Sequence, residues 1–209
     1  MLLTFEGIDG SGKSTQAQQL WQRLKAQGEE PLLVREPGGT DLSERVRALL
    51  LDRDLHIEPF AELLLFSAAR AQLVVERIRP ALDRGRTVVC DRFYDSTTAY
   101  QGAGRQLEDL AWIQEFNRHV TGGLVPDRTY LIEIDPEAAL ARRAVRQEDR
   151  MEAAGLAFQQ RVAAAYSRLA ENEPERFVRL AGHAEVETLH AQIWDDLRRL
   201  RARPSEPHV

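Results

Sequence analysis

Leu2-Leu3-Thr4-Phe5-Glu6-Gly7-Ile8-Asp9-Gly10-Ser11-Gly12-Lys13-Ser14 begins as a short apolar run, breaks at a glycine and passes straight into a helical pattern. From Gly7 onward it fits G-x-x-x-x-G-K-S/T, a loop that wraps phosphates between a strand and a helix. The task dictates the residue types. Triphosphate oxygens need several backbone N–H donors converging on one point, so the loop must be tight and its backbone closely approachable. Gly7, Gly10 and Gly12 permit that, with Ile8, Asp9 and Ser11 between them. Lys13 offers a compact charge for the β and γ oxygens of ATP, and Ser14 an oxygen for Mg2+.

Outward from the loop, strand and helix signals alternate. A helical pattern runs over 13–27 and a strand signal over 32–34, followed by a helical one over 42–51. A long helix is predicted from Pro59, a favoured first-turn residue, to about Arg79, with Pro80 near its end. Further strands are read at 87–90, 130–134 and 177–180, and an amphipathic helix at 186–200. Such alternation implies a parallel, five-stranded sheet flanked by helices on both faces, a three-layer α/β P-loop fold. Residues 1–203 are expected to form one domain and 204–209, rich in proline, a disordered tail.

Composition narrows the function. The chain has 209 residues, 43% hydrophobic and 29% charged, with a net charge of −5, which argues against broad binding to nucleic acid or membrane surfaces. No apolar stretch approaches the ~18 residues of a membrane span, and the N-terminus carries no basic leader. The single cysteine, Cys90, follows Val88-Val89 and reads as a small buried hydrophobe. These features together predict a cytoplasmic protein. Lys13 and Lys25 are the only lysines among many arginines, so Lys13 is a candidate for a role arginine cannot fill.

Asp91 falls at the carboxyl end of a buried strand, where open α/β sheets bind ligands; it either holds Mg2+ opposite Ser14 or caps the strand exit. No Asn-Lys-x-Asp motif reads guanine, which sets GTPases aside. A small kinase needs a second pocket for an acceptor anion, and Arg35, Arg47, Arg70 and Arg92 lie near strand ends or on the long helix. On that helix Phe60, Leu64, Ala71, Val75 and Ile78 form an apolar stripe, expected to face the core. Phe66, Arg70, Leu73 and Arg77 gather on another face. Periodicity leaves open whether Phe66 and Arg70 read a base, or are a core aromatic and a solvated charge.

Three motifs, 35–40 (REPGGT), 65–73 (LFSAARAQL) and 91–102 (DRFYDSTTAYQG), resemble the signatures of bacterial thymidylate kinases. The resemblance implies a kinase that phosphorylates dTMP to dTDP with ATP and Mg2+. It implies that Arg35, Arg47 and Arg92 bind the acceptor phosphate and that Phe66 stacks on thymine. Arg70, Thr97 and Gln101 would hydrogen-bond the base, with Ser96 beside them. Asp9 would hold the 3′-hydroxyl, and Tyr100 would crowd the 2′ position against ribonucleotides. Asp9, Lys13 and Arg92 are the catalytic candidates, and a homodimer built through long helices is implied as well, which the apolar stripe of the long helix would permit. Segment 136–152 resembles the family's mobile lid and carries Arg142, Arg143, Arg146 and Arg150. Arg142 is assigned to ATP, and Arg143 and Arg146 are the first choices for the transition-state charge. Arg150, between Asp149 and Glu152, is expected in local ion pairs. Two alternatives stay open: a kinase of another (deoxy)nucleoside monophosphate such as dUMP, and a switch that binds ATP and transfers nothing.

Overall fold

A computed structural model describes residues 1–107, 110–143, 150–151 and 154–202. Five parallel strands form one sheet in the order β2-β3-β1-β4-β5: β1 Leu2–Glu6, β2 Leu32–Arg35, β3 Val88–Asp91, β4 Arg128–Glu133 and β5 Phe177–Ala181. The alternation of side chains along β1 splits its apolar residues between two faces. Leu3 and Phe5 join Leu20 and Leu24 of α1 (Lys13–Ala26) and Ile193 and Leu197 of α9 (Val186–Ala202). Leu2 faces the other way, against Leu73, Val74 and Ile78. Helices therefore cover both faces, as a buried parallel sheet requires. Each of these fully buried large side chains stabilises the fold by about 1.5–3 kcal/mol.

On the second face lie α3 (Pro59–Leu73) and α4 (Arg79–Asp83), joined by a π-helical stretch, Val74–Ile78, while α2 (Asp41–Leu51) packs against α3. The chain stays helical past Pro80, against the expected end there. Pro80 sits in the first turn of α4, where its missing N–H costs little, and the π-helical turn absorbs the change of register. The expected core stripe is corrected in part: Ile78 is fully buried, but Phe60, Leu64 and Val75 are 51%, 45% and 69% exposed. The helix turns inward a face that mixes Leu63 and Leu73 with Glu62, Ser67 and Arg70. Four helices were not read from the sequence: α5 (Tyr94–Thr97), which runs into a π-helical stretch Thr98–Gly104, α6 (Leu110–Val120), α7 (Pro136–Arg143) and α8 (Leu156–Asn172).

Parallel register sets the functional edge. Arg35 pairs with Asp91 and Phe5 with Asp91, so the loop after β1, the end of β2 and the end of β3 open side by side. The expected tail, 204–209, lies outside the described residues. Among those described, no helix is long and apolar enough to cross a membrane. Cys90 is buried and its thiol donates to the Arg92 carbonyl. Burial pushes that thiol well above its ordinary value, which keeps it unreactive.

Candidate active site

The glycine loop is shaped by contacts that a side chain would break. Gly7 has φ +141°, and a Cβ there would lie 2.5 Å from the Ile132 carbonyl oxygen. Gly12 has φ +99° and opens onto empty space. It is also the N-cap of α1, and no side chain caps the helix. The first-turn N–H groups and the positive end of the helix dipole therefore remain available to an anion. Lys13 is buried, with Nζ 3.3 Å from Asp9 Oδ1. Burial and the nearby Arg92 lower its ammonium below the ordinary value, while Asp9 and Asp91 oppose them.

Ser14, Asp91, Arg35, Gly39 and Glu44 line one cleft beside the loop. Asp91 Oδ1 is buried without a hydrogen-bond partner. The helix that follows takes Phe93 as its N-cap, so Asp91 is not its cap. A hydroxyl and a carboxylate with an unsatisfied oxygen form a hard-oxygen pair suited to a divalent cation.

A second cavity lies across Asp9. Its lining includes Asp9, Arg47, Phe66, Arg70, Arg92, Ser96, Thr97, Tyr100 and Gln101, which is every acceptor-side residue expected from the sequence except Arg35. Arg35 instead faces the Ser14–Asp91 cleft, where it pairs with Glu44 at 3.1 Å and donates to the Pro37 carbonyl. Arg47 donates to the same carbonyl from the cavity side.

Arg92 ties the acceptor cavity to the glycine loop. Its Nη2 donates to Asp9 Oδ1 at 2.6 Å and Tyr100 Oη at 2.9 Å, and its Nη1 to Ser96 Oγ at 3.0 Å. Tyr100 Oη donates to the other Asp9 oxygen at 3.0 Å. Burial works against the Asp9 charge, but Arg92 and Lys13 overcome it and hold the carboxyl far below the usual range. Arg70 is only 1% exposed, so it is not a solvated charge. It pairs with Glu36 and donates to Thr97 Oγ1 at 2.8 Å, to Asn117 Oδ1 and to the Phe93 carbonyl.

Sequence reading missed the carboxylates behind these groups. Glu36 lines the acceptor cavity with Oε1 buried and unpartnered, and burial raises its carboxyl. Glu6, wholly buried, accepts from the Phe93 N–H, Ser96 and Tyr166. Glu62 accepts from Gln101, Arg105 and Arg150. Glu62 was within reach, because Glu62, Phe66 and Arg70 are spaced by four and share a helical face.

On the lid side, Arg142 Nη1 donates to the Gly182 carbonyl at 3.0 Å and reaches the Gly10 carbonyl at 3.5 Å, bridging the glycine loop to the turn after β5. Arg150 pairs with the distant Glu62 at 2.7 Å and donates to the Leu50 carbonyl; the local partners expected for it, Asp149 and Glu152, lie outside the described residues. So do Arg146 and the Arg143 side chain.

A triphosphate cradle that shares a carboxylate with a separate arginine-walled cavity describes one class of P-loop protein, the nucleoside monophosphate kinases. Comparison with known families gives the particular one: the thymidylate kinase family model matches residues 5–193, and the chain belongs to that family. It is 49% identical to the thymidylate kinase of Deinococcus radiodurans, over 93% of this chain and 94% of that one. It is 49% identical to that of Chlorobium luteolum, over 92% and 94%. The crystal structure of thymidylate kinase from Ehrlichia chaffeensis superposes with a TM-score of 0.77 at 35% identity, covering 95% of this chain and 98% of the other.

Proposed function

We propose that the chain transfers the γ-phosphoryl group of ATP to the 5′-phosphate of dTMP, giving dTDP and ADP. The observation that carries this reading is Asp9: it belongs to the glycine loop yet bonds Arg92 and Tyr100 in the neighbouring cavity, so donor and acceptor sites share a wall. In the reaction an acceptor phosphate oxygen forms a bond to the γ-phosphorus while the bond to the bridging oxygen breaks. Residues of the loop from Gly7 to Ser14 hold the triphosphate, with Lys13 on its β/γ oxygens. Ser14 and Asp91 would hold Mg2+, which would supply positive charge to offset that of the triphosphate.

Arg92 and Arg47 clamp the acceptor phosphate, with Arg35 approaching from the cation side. Phe66 stacks on the base, and Arg70, Ser96, Thr97 and Gln101 surround it. Tyr100 fills the space beneath C2′, and Arg142, Arg143 and Arg146 serve the donor from the lid. Residues 1–203 work as one cytoplasmic domain, paired in a homodimer through the exposed apolar face of α3; the buried, lone Cys90 accords with a reducing compartment.

An ADP-release assay with Mg-ATP and a panel of monophosphates tests the reading. dTMP is expected to be the best acceptor, dUMP weaker, and ATP hydrolysis without acceptor negligible. Equal rates for purine and pyrimidine acceptors, or none with any acceptor, would overturn it.

A further inference from the structure

Gln101 sits at the floor of the acceptor cavity and is 1% exposed. Its side-chain amide has two faces of opposite character, a carbonyl that accepts and an NH2 that donates. Which one meets the ligand decides which base fits. Glu62 lies behind it with no exposed surface, and Glu62 Oε1 is 2.8 Å from Gln101 Nε2.

A carboxylate can only accept, so the amide nitrogen must turn to Glu62 and the carbonyl oxygen is the atom left for the cavity. Two arginines secure the carboxylate. Arg105 Nε and Nη2 reach its two oxygens at 3.1 and 3.0 Å, and Arg150 Nη2 reaches Oε2 at 2.7 Å. Burial disfavours the charge, but Arg105, Gln101 and Arg150 outweigh it and hold the carboxyl below its ordinary value, so Glu62 stays an acceptor at neutral pH. Both arginines also touch Met151 Sδ at 3.6 Å, and Met151 lines the same cavity.

We infer that Glu62 is the positioning residue for base choice: by fixing the Gln101 amide it presents an acceptor to the cavity whose lining also carries the positive guanidinium of Arg70. That pair complements a pyrimidine with a protonated N3 next to a 4-keto oxygen. Cytosine opposes it twice, with a bare N3 facing the Gln101 oxygen and a 4-amino group facing the arginine. Arg150 adds its charge from the lid side, as one of the two arginines paired with Glu62.

The inference rests on dTMP being the acceptor, and the test separates the two. Steady-state kinetics with dTMP and dCMP are compared for wild type, Glu62→Gln, Glu62→Asp, Gln101→Ala and the double variant Glu62→Gln/Gln101→Ala. Glu62→Gln frees the amide to rotate; the dTMP-over-dCMP ratio of kcat/KM is expected to fall roughly ten- to hundredfold, mostly through KM for dTMP. ATP KM should hold steady. Glu62→Asp keeps the charge for both arginines but withdraws the oxygen from Gln101, so it should lose selectivity even if Glu62→Gln folds poorly. In the Gln101→Ala background the Glu62 change should add nothing to the ratio. If the ratio survives in Glu62→Asp, or falls equally with and without Gln101, Glu62 is a structural charge and the inference fails. If wild type shows no dTMP-dependent ADP release, it is the acceptor assignment that fails.

Discussion

Arg92 is held at φ +71°, a backbone angle that residues with a Cβ rarely adopt, directly between β3 and α5. That turn swings its guanidinium back over the glycine loop, and Glu6 locks the turn by taking the next N–H, from Phe93, at 2.8 Å. Arg92→Ala should therefore raise the dTMP KM and lower kcat together, costing kcat/KM roughly a hundredfold or more, because a misplaced acceptor loses its in-line approach. A change confined to ATP KM in steady-state kinetics would contradict this. Glu6 makes a separate prediction. Burial, reinforced by Asp95 and opposed by Arg92 and two hydroxyls, pushes its carboxyl up to about 7 from an ordinary 4.5. Between those values the folded protein keeps a proton that the unfolded chain has released, so stability should fall as pH rises through that window. Glu6→Gln removes the titration, and the gap in unfolding free energy between variant and wild type should drift by on the order of 3 kcal/mol from pH 4.5 to 7. Denaturant melts at several pH values check it; parallel curves would mean that Glu6 keeps its charge. Residues such as Lys13 and Arg92 were legible in the sequence because a motif names them. Glu6 was not, because a carboxylate in an apolar run reads as an error until its partners, here up to 160 residues away, are known.

Among the elements, strands and glycine loop were legible because short apolar runs, buried on both faces, and a strict loop pattern coincide, and β1 falls within its expected bounds. The long helix was harder. Its buried face carries Glu62, Ser67 and Arg70, which any hydrophobic periodicity counts against burial, so periodicity favours the cleaner apolar stripe. α8 left a readable signal in Val162, Ala165, Tyr166 and Leu169, whereas the π-helical stretch Thr98–Gly104 has no sequence period of its own. That stretch carries Tyr100 and Gln101, adjacent positions that both line the acceptor cavity. The lid yields the prediction at this scale. No cation in the glycine loop besides Lys13 can meet charge on the transferring group, so another must arrive with ATP. Arg142 is committed to backbone carbonyls and Arg150 to Glu62. Arg143→Ala or Arg146→Ala should then give the large fall in kcat, about tenfold or more, with little change in ATP affinity. Arg150→Ala should act mainly on dTMP KM. Measured kcat values near wild type for both Arg143→Ala and Arg146→Ala would leave Arg92 to serve both phosphates.

At the scale of the whole molecule, the corrected helix face has a consequence. Phe60, Leu64 and Val75 share one side of the long helical segment and stand exposed. Phe60 meets Trp112 of α6 with ring centroids 6.2 Å apart, and Trp112 stacks on Phe116 at 5.1 Å with rings nearly parallel. Leu110 and Trp112 are themselves 36% and 44% exposed, so the apolar surface continues from α3 onto α6. Scattered apolar residues on a surface need no explanation, but a contiguous aromatic and aliphatic patch across two helices costs solubility unless something covers it. A second copy is the natural cover, since a two-fold axis pairs the patch with itself. Light scattering after size exclusion should give twice the chain mass of 23.7 kDa for wild type at micromolar concentration. Phe60→Glu places a charge at the centre of the patch and should shift the protein to the single-chain mass. Phe60 does not line the acceptor cavity, so the monomer should still bind dTMP, and any loss of turnover should track the fraction dissociated. A wild-type protein that stays at the single-chain mass across the concentration range would leave the patch without a like partner.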